Sequence, residues 1–274
     1  MALYRLNLKI QLKDLKMFMK RVLFEKFWVL IICIVLAPSS AWAFDFKGWD
    51  GLLKKYVGPT TIDGVRLAGV NYAVMKKDPA YSKLIKDLKS FSPITLKTPQ
   101  EKMTFWINTY NVMAVKMVVD HYPVDSIKDA GSLFESVWKK KVGVIGGKEV
   151  TLNDIEHEIL RKMGDPRIHV AIVCASVSCP DLRKEAYTTD QVDAQLDDQF
   201  KKFLENRGKG LQIDRGKKRV TLSKIFDWFE DDFKLKGGVL PFLSRYALEK
   251  DRPYLKKRDV EVSYLDYNWD LNKK

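Results

Sequence analysis

Apolar and polar positions repeat along this chain with two different periods, which predicts both helices and strands. Apolar residues recur every three or four positions, as on an amphipathic helix, in the segments 44–56, 79–91 and 188–207. Around Gly146-Gly147 and Arg215-Gly216 they alternate instead, and each pair lies where a hairpin would turn. We expect a single α+β domain in which several long helices pack on a small, mostly antiparallel sheet.

A helix buried on every side is predicted after Thr98. Thr98 and Glu101 form a T-x-x-E capping box, and apolar residues follow nearly all round in 103–119. Asn108 and Asn111 lie one turn apart on this helix, and buried amides must be hydrogen-bonded. Either they fix neighbouring loop backbone, or one of them orients a substrate or a catalytic imidazole.

A second helix is predicted over 151–163, starting at a T-x-x-D capping box. At about 100° per residue, Glu156 falls inside its apolar arc and His157 falls on the border. A carboxylate that faces a core needs a partner or a raised pKa. Glu156 is therefore expected either to pair with Arg161 or Arg167, or to meet a histidine or a ligand.

The run 168–174 is apolar at nearly every position and predicts a strand buried on both faces. This strand would deliver Cys174 to a small polar loop that contains Cys179, a place where reactive groups are often displayed. Side chains alternate along a strand, so His169 and Cys174 would lie on opposite faces. His157 is then the better partner for Cys174, and His169 could reach Cys179.

These residue types suit nucleophilic catalysis, which needs a thiol, a base and an orienting group. The candidates are Cys174, Cys179, His157, His169, Glu156 and Asn108. Backbone amides of 175–178 could form an oxyanion hole. The alternative is two structural cysteines among core histidines. Zinc spacings such as C-x-x-C or H-x-x-x-H do not occur here, so neither a metal nor another cofactor is predicted.

The first 43 residues predict an export signal, with a basic leader, eleven mostly apolar residues at 27–37 and a small-x-small cleavage pattern at Ala41-Trp42-Ala43. The leader is long for a signal, unless translation begins at Met17 or Met19. Cleavage after Ala43 would leave 44–274 as one periplasmic or secreted domain; an uncleaved anchor is the alternative. Export implies a disulfide-permissive compartment. A Cys174–Cys179 bridge would close only a small loop, so we expect it to be local or redox-active.

The formal net charge of +13 favours anionic partners. The positive residues are scattered, however, and no nucleic-acid motif accompanies them. We therefore expect a solvated basic surface, and nucleic acid is not an expected partner. The expected partner is an unidentified protein or envelope polymer, with membrane contact only through the leader if it is retained.

Several blocks, in order, resemble the domain-of-unknown-function family numbered 547. They are Phe105-Trp106-Ile107-Asn108-Thr109-Tyr110-Asn111, Ile155-Glu156-His157-x-Ile159-Leu160-Arg161, Asp165-Pro166-Arg167-Ile168-His169 leading to Cys174, and Ser178-Cys179-Pro180. The likeness covers about 97–233, and the tail at 264–272, within a predicted closing strand at 260–272, is also similar. Ala175 departs from the family pattern, which has Gly there. The resemblance implies an α+β domain found in exported bacterial proteins and in larger plant proteins tied to protein–protein interaction. It implies no established activity.

Three functions fit these observations. The first is a thiol-dependent hydrolase or acyl transferase of the envelope, of the papain or transglutaminase kind. The second is a non-catalytic protein–protein interaction module whose polar core fixes its shape. The third is a disulfide-active redox protein. The first requires that a sulfur meet an imidazole and a carboxylate in space.

Overall fold

A computed structural model describes residues 43–132, 135–257 and 259–274. The predicted signal segment lies outside these residues except for Ala43. The described residues cluster as one compact unit, and their mixture of helices and small, mostly antiparallel sheets confirms the α+β class. Within the described ranges, no helix has both the length and the hydropathy needed to cross a membrane.

The helices and strands follow one another along the chain with short connections. The α-helices are α1 (Lys47–Tyr56), α2 (Tyr72–Met75), α3 (Pro79–Ser90), α4 (Pro99–His121), α5 (Ile168–Ala171), α6 (Val192–Glu205), α7 (Ile225–Trp228), α8 (Glu230–Lys234), α9 (Val239–Leu243) and α10 (Arg252–Leu255). A π-helix spans Asp154–Leu160, and 3-10 turns span Pro93–Thr95, Ile127–Ala130 and Arg161–Met163. The strands are β1 (Val57–Ile62), β2 (Val65–Val70), β3 (Lys141–Ile145), β4 (Lys148–Thr151), β5 (Leu211–Asp214), β6 (Arg219–Leu222) and β7 (Glu261–Tyr264).

The strands pair in three separate small sheets. β1 pairs with β2 and β3 with β4, both antiparallel, and β5 pairs antiparallel with β6. Both predicted hairpins, β3–β4 and β5–β6, are present. The predicted closing strand at 260–272 is shorter: only β7 joins a sheet, parallel to β6. Beyond β7 the tail forms isolated bridges, such as Ser176 with Leu271, so it connects distant loops.

The apolar core is arranged in two clusters, one around α4 and one around α6 and the helices that follow it. The Thr98–Glu101 capping box is formed, and most side chains of α4 are buried, as predicted. α5 lies between the clusters, because Ile168 belongs to the first and Val170 to the second. The candidate residues on and after α5 therefore lie where the two clusters meet.

The prediction of a strand over 168–174 is wrong. The first part forms the short helix α5, and the chain is extended only from Ile172. The side-chain amide of Asn111 replaces a strand partner: its Nδ2 donates to Ala171 O and its Oδ1 accepts from Val173 N–H, both at 2.9 Å. A short apolar run can be buried either as a strand or as a helix, so its apolar pattern alone does not distinguish the two.

The predicted second helix exists but is wound differently. Thr151 and Asp154 exchange the expected capping hydrogen bonds, and the segment then forms the π-helix and a 3-10 turn. It ends at Gly164, which has the left-handed φ of +72°. Glu156 faces inward despite the changed winding, since only 6% of its surface is exposed. Such π-turns often occur at functional sites.

Candidate functional site

A cavity of about 270 Å³ brings together five of the six candidate residues. These five are Glu156, His157, His169, Cys174 and Cys179. The rest of the wall is aliphatic or aromatic: Tyr110, Trp138, Ile172, Ile225, Trp228, Phe229, Tyr267 and Trp269. The sulfurs, two imidazoles and a carboxyl group thus share one partly open space, which the sequence hypothesis required.

Asn108 does not line this cavity. Its Nδ2 donates to Tyr187 O at 2.9 Å, and its Oδ1 accepts from Tyr187 N–H at 3.0 Å. Because both ends of this amide bind the Tyr187 backbone, its geometry matches the structural alternative rather than the catalytic one. Asn111, one turn later, is the amide that holds the chain leading to Cys174.

The two sulfurs are in direct contact. Cys174 Sγ and Cys179 Sγ lie 2.8 Å apart, and Cys179 Sγ also accepts from the Cys174 backbone N–H at 2.8 Å. The structure has no covalent bond between these two sulfurs. Cys179 is buried, whereas Cys174 is partly exposed to the cavity. Cys174 is therefore the more exposed residue of the pair.

The surroundings of Cys174 favour its thiolate. Burial raises the pKa of Cys174, but hydrogen bonds from Cys179, Ser176 and Tyr267 outweigh burial and bring this pKa to about 7. The Ser176 and Tyr267 hydroxyl oxygens both lie 3.2 Å from Cys174 Sγ, and the Ser176 backbone N–H adds a further donor. Burial and the neighbouring Cys174 sulfur raise the pKa of Cys179. When the pair loses one proton, these shifts place the negative charge on Cys174 and leave Cys179 as the thiol.

The turn between the sulfurs contains a non-glycine residue in the left-handed region, since Ala175 has a φ of +59°. This is the position at which the chain departs from the glycine of the family pattern. The left-handed conformation is unfavourable for residues with a Cβ, and local strain of this kind is often found at functional sites.

Three of the four backbone amides in 175–178, which were predicted to form an oxyanion hole, donate to other acceptors. The N–H of Val177 donates to Asp270 O at 2.9 Å, and the N–H of Ser178 donates to Asn268 O at 3.2 Å. The N–H of Ser176 is directed to Cys174 Sγ. The loop amides therefore bind the C-terminal tail and the sulfur.

The C-terminal tail completes the site, and the sequence reasoning missed its contribution. Asn268 N–H donates to Ser178 Oγ at 2.9 Å, and Asn272 N–H donates to Ala175 O at 3.0 Å. These bonds place Tyr267 beside Cys174 and Trp269 in the cavity wall. The only sequence signal was the resemblance of the tail to the family, which carried no role for Tyr267.

Glu156 has neither of its predicted arginine partners. Its Oε2 accepts from the Tyr110 hydroxyl at 3.1 Å, while Arg161 pairs with Asp232 and Arg167 with Asp165, among others. Burial raises the pKa of Glu156 to about 7, although the Tyr110 hydrogen bond acts in the opposite direction. The carboxyl group can therefore gain or lose a proton near neutral pH.

His169 forms a dyad with Asp232, a residue that the sequence reasoning did not select. His169 Nε2 lies 2.7 Å from Asp232 Oδ2, and Arg161 holds both oxygens of this carboxylate at 2.7 Å. Although burial acts to raise the pKa of Asp232, the hydrogen bonds from His169 and Arg161 hold it well below its usual range. Burial lowers the pKa of His169. The ring is therefore neutral at pH 7 and donates from Nε2.

The other nitrogen of His169 is then an acceptor. His169 Nδ1 is buried and has no hydrogen-bond partner among the described residues, while the ring stacks on Phe229 with centroids 4.0 Å apart. His157 differs, because its Nδ1 accepts from Arg161 Nη1 at 2.8 Å. Burial lowers the pKa of His157, and Arg161 lowers it further. The predicted pairings of His157 with Cys174 and of His169 with Cys179 are replaced by these contacts to Arg161 and Asp232.

The described residues contain no group of three or more His, Cys, Asp or Glu side chains that could hold a metal ion.

Comparison with family models gives one match. Residues 94–204 match the model described as a protein of unknown function, DUF547. This segment belongs to that family. It contains α4, the π-helix, α5, both cysteines and nearly all of α6, whereas Asp232 and Tyr267 lie beyond it. Comparisons with curated proteins and with solved structures found no match. The DUF547 match leaves the specific activity open.

Proposed function

We propose that Cys174 and Cys179 form a dithiol–disulfide redox centre, in which Cys174 is the nucleophile and Cys179 the resolving cysteine. The observation that carries this proposal is the 2.8 Å contact between two sulfurs with opposite pKa shifts. A thiolate that faces a cavity can attack an incoming disulfide, and a thiol directly behind it can complete the exchange. The predicted export signal would suit this function, since it leads to a disulfide-permissive compartment.

The proposed reaction has two steps. The Cys174 thiolate attacks a substrate disulfide, so that a mixed disulfide forms and one substrate thiolate leaves. Cys179 then loses its proton and attacks Cys174 Sγ, so that the Cys174–Cys179 bond forms and the second substrate thiolate leaves. Two electrons pass to the substrate, and its two thiolates take up one proton from Cys179 and one from solvent. Glu156, with a pKa of about 7 in the same cavity, can carry the Cys179 proton to the leaving thiolate.

Equilibration of the purified, reduced protein with oxidised and reduced glutathione tests this proposal. We expect a mass loss of about two hydrogens and blocked alkylation of both cysteines. Cys179→Ser should accumulate a mixed disulfide on Cys174, whereas Cys174→Ser should form none, and thermal melting would verify that both variants fold. A protein that stays reduced in excess oxidised glutathione would refute a redox centre.

A second candidate is a thiol-dependent hydrolase or acyl transferase. It is favoured by His169, which is held by Asp232, lines the same cavity as Cys174 and could act as base for an attacking water or amine after Cys174 has formed a thioester. Incubation with p-nitrophenyl acetate tests it: a burst of nitrophenol and an acetyl group on Cys174 are expected. If His169→Gln removes this acyl group only slowly, His169 is the base. If no acyl-enzyme forms, the protein is not a thiol-dependent hydrolase or acyl transferase for such esters.

The third hypothesis, a non-catalytic interaction module, predicts that neither reaction occurs and that Cys174→Ser keeps full partner binding.

Cell fractionation of a tagged form of this chain would test the predicted periplasmic or secreted location. The partner, as an envelope protein or polymer, also stays a proposal, which cross-linking of that same fraction would examine.

A further inference from the structure

Aromatic rings form one side of the cavity that contains the thiol pair. Trp228 and Trp269 are stacked with centroids 5.7 Å apart, and Tyr267 lies 4.5 Å from Trp269. Trp228 is 44% exposed, an unusually open position for a large aromatic residue. An aromatic face attracts a cation through the quadrupole of its π-system. These rings therefore offer incoming molecules a surface suited to positive charge.

The protein itself places a cation on this surface. Lys128 Nζ lies 3.7 Å from the centroid of the Trp269 ring, well within the range of a cation–π interaction. Burial lowers the pKa of Lys128, while the nearby Cys174 raises it, so the ammonium group senses the thiolate. Lys128 thus occupies a face of Trp269, so the exposed ring of Trp228 is the one open to a ligand.

A carboxyl group lies in the inner wall of the cavity. Glu156 is 6% exposed, and its Oε2 accepts a hydrogen bond from the Tyr110 hydroxyl at 3.1 Å. A buried carboxylate is costly unless a group of opposite charge pairs with it. The nearby Arg161 is already paired with Asp232 through two 2.7 Å hydrogen bonds.

We infer that the cavity binds an ammonium group, which donates to the Glu156 carboxylate and contacts the exposed ring of Trp228. This inference deepens the proposed function, on which it rests, because it assigns the substrate class: disulfides that carry a cationic group near the sulfur. The net charge of +13 opposes such substrates at long range, but salt screens charges more than about 8–10 Å apart. Selection would thus arise inside the cavity.

Oxidation of the reduced protein by three small disulfides tests the inference at 150 mM salt. Cystamine carries ammonium groups, bis(2-hydroxyethyl) disulfide is neutral, and 3,3′-dithiodipropionate carries carboxylates. Each rate is divided by the rate for free 2-mercaptoethanol, since a thiolate by itself favours cationic disulfides. We expect cystamine to exceed the neutral compound by about tenfold after this correction. Equal corrected rates, or a preference for the carboxylate, would overturn the inference.

Two variants localise the effect. Glu156→Gln and Trp228→Leu should each reduce the corrected preference for cystamine at least severalfold. Glu158→Gln is the matched control, because this exposed carboxylate lies on the same π-helix and pairs with Lys162. If Glu158→Gln reduced the preference as much as Glu156→Gln did, the ammonium group would not be bound in the cavity.

A binding experiment distinguishes failure of this inference from failure of the redox proposal. Cys174→Ser removes the nucleophile, and n-butylammonium or n-butanol can then be titrated against tryptophan fluorescence. We expect saturable binding of the ammonium compound alone. If no disulfide oxidises the protein and n-butylammonium still binds, the redox proposal fails and the cation site stands. If disulfides react and n-butylammonium does not bind, the cation site fails.

Discussion

Tyr267 is the donor that the tail brings to the sulfur of Cys174, and this single hydroxyl shows how the site depends on individual hydrogen bonds. Its oxygen lies 3.2 Å from Cys174 Sγ and 3.3 Å from Ser176 Oγ. Burial raises the pKa of Tyr267, so it stays protonated and can donate whenever Cys174 is ionised. A hydrogen bond to a charged group contributes about 1.5–3 kcal/mol.

Tyr267→Phe should therefore raise the pKa of Cys174 by about one unit or more, because the thiolate loses a donor. The measurement is the pH dependence of the rate of Cys174 alkylation by iodoacetamide, with the modified residue located by mass spectrometry. Tyr264→Phe is the control, since this tyrosine lies on β7 and near Lys224. An unchanged pKa in Tyr267→Phe would mean that the remaining donors suffice.

Ala175 is a second residue with a conformational role, because its φ of +59° is disfavoured for branched side chains. We expect Ala175→Val to lower the free energy of unfolding by about 2 kcal/mol more than Ala186→Val does. Both alanines are buried, so the comparison removes the common cost of overpacking. Ala175→Gly should be tolerated. Urea denaturation measures all three, and equal losses for the two valine variants would count against strain in this turn.

At the scale of elements, α4 fixes two different loops through amides one turn apart. Asn108 binds the backbone of Tyr187, and Asn111 binds that of Ala171 and Val173, immediately before Cys174. Both amides satisfy buried backbone groups. Of these two amides, Asn111 is the one that holds the chain next to the reactive sulfur.

Replacing each asparagine with alanine should separate stability from reactivity. Asn108→Ala and Asn111→Ala should each lower the free energy of unfolding by about 2 kcal/mol or more, because each leaves a buried N–H and C=O unpaired. Only Asn111→Ala should also change the alkylation rate of Cys174, since the chain next to the sulfur loses its anchor. Urea denaturation and iodoacetamide kinetics provide the two measurements. If Asn108→Ala changed the alkylation rate of Cys174 as much as Asn111→Ala did, the cause would be a general loss of stability rather than loss of the anchor beside Cys174.

At the scale of the whole molecule, the buried carboxyl of Glu156 connects stability to pH. Its pKa is about 7 in the folded protein, above the usual 4.5, so the folded state binds this proton more tightly than the unfolded state. The resulting stabilisation is complete below about pH 4.5 and is lost as the pH rises through 7. The lowered pKa of Cys174 acts in the opposite direction, mainly above pH 7.

We expect the wild-type protein to lose up to about 3 kcal/mol of unfolding free energy relative to Glu156→Gln between pH 5 and pH 8. Urea denaturation of both proteins across this range measures the difference, and subtraction removes the contribution of groups common to both. If the unfolding free energies of the wild type and Glu156→Gln changed in parallel with pH, Glu156 would titrate near its ordinary pKa.

The local predictions succeeded where neighbouring residues decide the structure. The Thr98–Glu101 box, the Thr151–Asp154 box and the glycine turn of β3–β4 all formed, because each depends on contacts within four residues. The run 168–174 failed for the opposite reason. Its backbone partner, Asn111, lies about 60 residues earlier in the chain, and apolar composition does not reveal such a partner.

The sequence predicted most of the residues that line the candidate site, but not which residues contact one another there. Five of the six selected residues line the cavity, because buried titratable groups are recognisable from their position in apolar patterns. The partners were not recognisable: Asp232 lies 63 residues after His169, and Tyr267 lies 93 residues after Cys174. No periodicity or spacing connects residues so far apart.

The sequence by itself determined the α+β class, the caps and turns, and which thiols, imidazoles and carboxyl group were available, since these follow from short-range backbone preferences and from burial. Only the tertiary structure decided which of these groups meet. It placed the tail hydroxyl of Tyr267 on Cys174, the carboxylate of Asp232 on His169, and one sulfur against the other. Protonation depends on the nearest charges, donors and solvent, so the reactivity of Cys174 was settled only when distant segments came together.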